Sequence, residues 1–176
     1  MTTFADQLYQ FGGMPVLAPP FPIPARNGKY WFVDGDNGAD GSAGTVKRPL
    51  VSIQGALDRA SGGDTVVVLP RAMATGATDP VSYAETVIIA PAQDRLAIIG
   101  VSRGRTQGGL PQLRKGSGST AHITVRAPGC LIAGIGINGT SATGGGILLD
   151  DDGGSTKSAF GTTIVGCHFK NCKGST

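Results

Sequence analysis

Residues 49–70 have the sequence PLVSIQGALDRASGGDTVVVLP, and the rest of the chain is organised around them. Five apolar side chains in the first half recur at helical spacing: Val51, Ile53, Ala56, Leu57 and Ala60. This periodicity predicts a short amphipathic helix over residues 50–60. Pro49 suits the entrance of such a helix, and Gly62-Gly63 suits its end.

The second half of the stretch predicts a buried strand. The run 65–69 is rich in β-branched residues and lies between Asp64 and Pro70. A short, continuous apolar run with these boundaries is typical of a fully buried strand. The whole stretch therefore predicts a helix that covers the end of a sheet, followed by a strand inside that sheet.

Composition favours one turn-rich, all-β domain. The chain has 176 residues, of which 29 are glycine and only 15% are charged. The glycines follow no Gly-X-Y period, which excludes collagen. Hydrophobic residues make up 40% of the chain and cluster in β-branched runs, which disfavours disorder.

Charge and hydropathy disfavour several classes of partner. The net charge is only +3, and no run of Lys or Arg exceeds two residues, so we expect neither nucleic acid nor anionic membrane as the main partner. No apolar stretch reaches about 18 residues, so we expect no membrane span. Residues 1–6 lack the basic and apolar segments of a signal peptide, which indicates synthesis in a cytoplasm.

Four segments carry a resemblance to a known family: Phe32-Val33-Asp34-Gly35, Gly38-Ala39-Asp40-Gly41, the helix at 50–60, and Gly63-Asp64-Thr65-Val66. Together they resemble the N-terminal cap of right-handed parallel β-helix proteins, the pectin-lyase-like superfamily, which includes carbohydrate lyases and phage tailspikes. The resemblance implies a right-handed parallel β-helix whose first coil is covered by the helix. This chain departs from the family pattern at 71–82, where a longer segment replaces a short turn.

A repeated strand with a fixed glycine supports a solenoid. Further strands are predicted at 30–33, 86–90, 96–101, 122–126, 131–135 and 163–167. Aligning Gly100, Gly134 and Gly166 gives spacings of 34 and 32 residues, with an isoleucine two residues before each glycine. We interpret each glycine as the same bend in successive coils, with loops at 102–121 and 139–145. The residues expected to define the fold are Ile53, Ala56, Leu57, Gly63, Asp64, Gly100, Gly134 and Gly166.

The N-terminal segment predicts an extended arm. Residues 1–12 are compatible with one or two helical turns, whereas residues 13–27 contain five prolines. A proline-rich segment is stiff and cannot join a central sheet. The arm either docks on a partner or a neighbouring copy of the chain, or folds back over its own domain. Its candidate partner-binding residues are Met14, Val16, Leu17, Phe21 and Ile23.

The sequence predicts no catalytic residue, no cofactor and no metal site. The acidic loop that starts at Asp34 fails the EF-hand template, because Ala39 and Thr45 stand where Gly and Glu are needed, so we favour a turn. A triplet of acidic residues at 150–152 is more typical of a solvated turn than of a glycosidase pair. His122 begins a strand and is expected at the surface. His168 follows Cys167 on a strand, so the two side chains point to opposite faces.

The three cysteines, Cys130, Cys167 and Cys172, are expected to fill the core as small hydrophobes, with a disulfide or a metal as weaker alternatives. No counterpart of the 50–60 helix is visible after the last predicted strand. We therefore expect that end of the solenoid to be covered by coils beyond residue 176 or by another chain.

Two functions remain open. The preferred one is a structural virion protein of a bacteriophage (a tailspike, a fibre or a head or tail decoration), made in the host cytoplasm. Residues 1–27 would attach to other virion proteins, 28–70 would form the first strand, turn loop and cap, and 71–176 would form coils. We expect a homotrimer, with host-surface polysaccharide as a further candidate partner. The alternative is a polysaccharide lyase or glycosidase whose active groove lies on later coils.

Overall fold

The computed structural model describes residues 10–11, 14–15, 28–77, 79–101, 109–114, 118–139, 144–151 and 159–172. In chain order the elements are β1 (Gln10–Phe11), β2 (Met14–Pro15), β3 (Tyr30–Val33), α1 (Ile53–Leu57), β4 (Thr65–Val68), β5 (Val87–Ile89), β6 (Ala97–Gly100), β7 (Gln112–Leu113), β8 (Ile123–Val125), β9 (Leu131–Ala133), β10 (Gly136–Asn138), β11 (Ile147–Leu149), β12 (Thr163–Val165) and β13 (His168–Lys170).

The strands form a parallel β-solenoid of about four turns, which confirms the predicted all-β solenoid. One sheet has the order β12-β9-β6-β4-β3, a second has β13-β10-β7, and a third has β11-β8-β5. Every neighbouring pair in these three sheets is parallel. From β6 onward the chain visits the three sheets in turn, and each round of three strands adds one coil to the stack.

The register of the first sheet agrees with the repeat seen in the sequence. Ile98 lies opposite Ile132, and Ile132 lies opposite Ile164. Gly100, Gly134 and Gly166 therefore occupy equivalent positions in three successive coils. Gly134 and Gly166 have positive φ angles of 65° and 60°, a conformation that favours glycine. A Cβ atom on Gly100 would instead collide with the carbonyl of Gly134.

Helix α1 is shorter than predicted, covering 53–57 rather than 50–60. It begins later because Ser52, not Pro49, supplies the N-terminal acceptor, with its hydroxyl 3.2 Å from the amide nitrogen of Gly55. It ends at Leu57, before the pair Gly62-Gly63. The pair serves the turn into β4 instead, where Gly63 has a φ of 83°.

The core lies inside the coils and includes one face of α1. Ile53, Ala56 and Leu57 are buried and belong to the same cluster as Val66 and Val87. The helix packs against β3, β4 and β5. Cys130 lies inside this core, and Cys167 and Cys172 are partly buried against it, all three as free thiols. The interpretation as a small core residue therefore holds for Cys130, whereas Cys167 and Cys172 lie at the edge of the core.

Three local predictions were wrong. His122 was expected at the surface, but it is fully buried, because it lies inside the corner that leads into β8. The segment 102–121 was interpreted as a loop, but it contains β7, which is too short to show a period in the sequence. Gln10–Phe11 pairs antiparallel with Met14–Pro15 rather than forming a helical turn, and the rest of the predicted turns over 1–12 lies outside the described residues.

Within the described residues, no helix has the length and apolar character that crossing a bilayer requires.

Candidate functional site

The most unusual surface of the molecule is the last described coil. Three of its side chains lie in register with residues that are buried one coil earlier: Leu149 with Val125, Ile164 with Ile132, and Phe169 with Ile137. Their exposed fractions are 51%, 40% and 47%, respectively, whereas their three partners are at 0%. We call the surface formed by Leu149, Ile164 and Phe169 the open end.

The backbone at the open end is as exposed as the side chains. β11, β12 and β13 are each the outermost strand of their sheet. Among the described residues, none pairs with the outer side of these three strands. Unpaired N–H and C=O groups on an edge strand are a template for pairing with a further strand. The open end thus combines exposed apolar side chains with the outer edges of three strands.

At the opposite end of the solenoid, the carboxylate of Asp64 joins three segments. It accepts hydrogen bonds from Lys29 N at 2.7 Å, Trp31 Nε1 at 3.0 Å and Ser61 N at 2.9 Å. Burial by itself raises the pKa of Asp64, but the hydrogen bonds outweigh it and hold the pKa below its usual value. Asp64 therefore acts as an ionised structural link beside Gly63.

A second carboxylate, Glu85, holds the start of α1. Its two oxygens accept from Ile53 N at 2.9 Å and from Gln54 N at 2.8 Å. Burial raises the pKa of Glu85, the two N–H groups oppose that rise, and the carboxylates of Asp40 and Asp58 reinforce it. Sequence reasoning missed this contact, because Glu85 lies 32 residues from Ile53 and 31 residues from Gln54 along the chain.

A cleft of about 290 Å³ lies beside Asp64, lined by Trp31, Arg59 and the backbone of residues 61–62. Two of its polar side chains make hydrogen bonds within the chain. The indole N–H of Trp31 donates to Asp64, and the Arg59 guanidinium donates to the carbonyls of Ser42 and Asp40. These two side chains therefore have a structural role in the cleft.

The acidic segments form local structure. The Asp34 carboxylate accepts from Asp36 N, Asn37 N and Asn37 Nδ2, as in an Asx turn, which confirms the turn interpretation of this loop. Asp150 pairs with Arg126 at 2.8 Å across neighbouring coils. Within the described part of the chain, no three His, Cys, Asp or Glu side chains are grouped to hold a metal ion.

The predicted arm residues lie almost entirely outside the described part of the chain. Val16, Leu17, Phe21 and Ile23 are not described, and Met14 is described only as part of β2. Their role as partner-binding residues stays a prediction. The fold-defining residues are all placed: three in α1, two in the turn before β4, and Gly100, Gly134 and Gly166 along the first sheet.

Comparison with known proteins adds no relative: no family model, no curated protein and no solved structure matches this chain.

Proposed function

We propose that this chain is a structural protein of a bacteriophage particle, in which a right-handed parallel β-helix forms a shaft. In this proposal α1 caps the first coil, and the arm of residues 1–27 attaches the shaft to other virion proteins. Residues 28–70 provide the strand, loop and cap, and residues 71–176 provide the coils. Right-handedness is the rule for parallel strands joined by crossovers in one sheet.

The observation that carries the structural part of the proposal is the open end. Leu149, Ile164 and Phe169 continue columns of side chains that are buried in the preceding coil, yet all three are 40% or more exposed. Contiguous apolar surface on a sheet edge marks a place of assembly. We infer that a further coil or another chain covers this surface.

The assignment to a phage particle has separate support. It comes from the resemblance of residues 32–66 to β-helix N-termini and from the apolar, proline-rich composition of the arm. In this proposal the arm residues Met14, Val16, Leu17, Phe21 and Ile23 dock on the particle. The resemblance to phage β-helices implies a homotrimer. We therefore propose three chains side by side, with host-surface polysaccharide as the external partner.

Light scattering on the purified chain and on a chain lacking residues 1–27 tests this function. We expect a trimer for the full chain, and a smaller species when the arm is removed. Replacing Leu17 and Phe21 by Asp in the full chain should have the same effect as the deletion, because it removes the apolar contacts without shortening the chain. As a matched control, replacing the polar Thr2 and Thr3 by Asp should leave the mass unchanged.

A monomer for every variant would contradict the structural proposal. It would favour the alternative, a polysaccharide lyase or glycosidase with its groove on later coils. Incubation with acidic and neutral bacterial polysaccharides, followed by measurement of chain length and of new unsaturated or reducing ends, would then decide between the two enzymes.

A further inference from the structure

The outer side of the five-stranded sheet carries two columns of uncharged side chains. Successive side chains of a strand point to opposite faces, and Val66, Ile98 and Ile132 are 1% exposed or less inside the core, so their neighbours on each strand face outward. In register, one outward column contains Phe32, Val67, Ile99, Ala133 and Val165. The column beside it contains Tyr30, Thr65, Ala97, Leu131 and Thr163. We call the surface formed by these ten residues the uncharged face.

The outer sides of the other two sheets carry charge. On the sheet β13-β10-β7, Lys170 follows the inward-facing Phe169 and pairs with Asp79. On the sheet β11-β8-β5, the residues that follow β8 and β11 are Arg126 and Asp150, which form an ion pair across two coils. The three sides of the solenoid therefore differ in charge, and only the uncharged face has none among its outward strand residues.

The first column of the uncharged face is accessible and regular. Val67, Ile99, Ala133 and Val165 are all partly exposed. Neighbouring strands lie about 4.8 Å apart, so the column presents one apolar side chain at each step of that length. A surface with the same repeat can place its own side chains between these rows, and another copy of this solenoid has such a surface.

The chemistry of the face also favours a second copy over other partners. The first column has no side-chain donor or acceptor, and polar groups of that kind orient a bound sugar or other small ligand. A charged partner would lose the hydration of its charges on this face without gaining an ion pair. A second copy brings an equally uncharged surface, so the two chains can meet here although each has a net charge of +3.

We propose that the uncharged face is the contact between copies of this chain in the side-by-side trimer, an inference that rests on the proposed function. The solenoid axes run parallel, and the first column of each chain faces the threefold axis. Each residue of the column then meets its own copies, so that Ile99 packs against Ile99 and Ala133 against Ala133. The column is only about 19 Å long, four strand spacings, which is small for an interface. It therefore adds to the contacts of the arm and does not replace them.

A pair of matched variants tests this face. Ile99→Asp places a carboxylate in the centre of the proposed contact. Ile88→Asp is the control, because Ile88 lies on β5, the strand before β6, and is exposed at 41% on the outer side of a different sheet. Light scattering over a range of concentrations measures the association of both variants and of the unchanged chain. We expect Ile99→Asp to weaken the trimer by about a hundredfold or more, as for an unpaired charge in an apolar contact, and Ile88→Asp to leave it unchanged.

The outcomes separate this inference from the proposed function. A trimer that persists in Ile99→Asp, or equal weakening by Ile99→Asp and Ile88→Asp, would overturn the assignment of the face and leave the trimer standing. A monomer for the unchanged chain would contradict both.

Urea unfolding distinguishes a further occupant, the arm of the same chain. If the arm covered the face, Ile99→Asp would keep the mass of the unchanged chain, and it would be more destabilising in the full chain than in a chain lacking residues 1–27. This result would also overturn the inference. If Ile99→Asp does not fold, Ile99→Thr and Ile88→Thr repeat the comparison with β-branched side chains. We then expect about tenfold weaker association for Ile99→Thr alone, from the loss of apolar area, and equal association of the two variants would contradict the proposal.

Discussion

The same columns of side chains run towards both ends of this solenoid, but the edge strands of the two ends differ in whether their outer sides have hydrogen-bond partners. At the first end, the outer side of β3 meets the loop that follows it: Phe32 N donates to Gly44 O, and Leu50 N donates to Phe32 O. The outer side of β7 pairs with Tyr83, whose amide donates to Gln112 O. At the open end, β11, β12 and β13 have no such partners among the described residues.

At β5, the third edge strand of the first end, a side chain takes the place of a neighbouring strand. The carboxamide of Gln54 accepts from Ile88 N at 2.8 Å, so it takes the place that a neighbouring strand would have beside β5. The carboxamide of Gln93 donates to Leu57 O and Ala60 O at the end of α1. The first end thus shows how this chain protects an edge, and the described residues show no such contacts on the outer strands of the open end.

The largest expected difference in the free energy of unfolding is between two positions in the same column of stacked side chains. Ile132 is fully buried, so Ile132→Ala should lower the free energy of unfolding by about 3 kcal/mol, from lost transfer energy and a new cavity. Ile164 lies one coil later and is 40% exposed, so Ile164→Ala should cost only about 1 kcal/mol. Urea unfolding of both variants at micromolar concentration measures the ratio. Equal costs would mean that the open end is already covered in solution.

A smaller effect is expected where α1 meets the first coils. Glu85→Ala removes the acceptor of two N–H groups, at Ile53 and Gln54, and should lower the free energy of unfolding by about 2 kcal/mol. Glu85→Gln keeps one acceptor oxygen and should cost less. Urea unfolding and the helix signal in circular dichroism check both variants. If Glu85→Ala is neutral, α1 is held by its apolar face alone.

The smallest effect is the pH dependence that Glu85 contributes. Burial raises its pKa, so the folded state binds this proton more tightly than the unfolded state. The contribution of Glu85 is then fully present below its ordinary pKa of about 4.3 and is lost as pH rises through the folded value. Comparing urea unfolding of the unchanged protein and Glu85→Gln between pH 4 and 6 isolates it. A steeper fall of stability in Glu85→Gln would show that the sign is wrong.

The sequence predicted the parts of the fold that repeat. Every coil must place an apolar side chain inward and then bend, so an isoleucine followed two residues later by a glycine recurs at Ile98, Ile132 and Ile164. This constraint involves neighbouring residues only, so it is visible in the sequence. The register of the sheet agrees with that alignment. The helix, too, was visible from Ile53, Ala56 and Leu57, although its bounds depended on Ser52.

The remaining features depend on contacts between distant segments. β7 is only two residues long and pairs because Tyr83 and β10 lie on either side of it, which no local pattern reveals. The burial of His122 depends on carbonyls 16 and 23 residues away. The sequence predicted that this end of the solenoid needs a cover, but that Phe169 lies on the exposed surface there is recognisable only from its register with Ile137.

The measurement that tests the open end most directly is the mass of the protein in solution, by light scattering over a range of concentrations, for three proteins. They are the unchanged chain, Ile164→Asp and Val46→Asp. Val46 is as exposed as Ile164, at 39% against 40%, but lies in the loop after β3. An assembly surface at the open end predicts that the unchanged chain and Val46→Asp form species larger than the arm-dependent trimer as concentration rises, and that Ile164→Asp does not. The same mass for all three proteins at every concentration would contradict it.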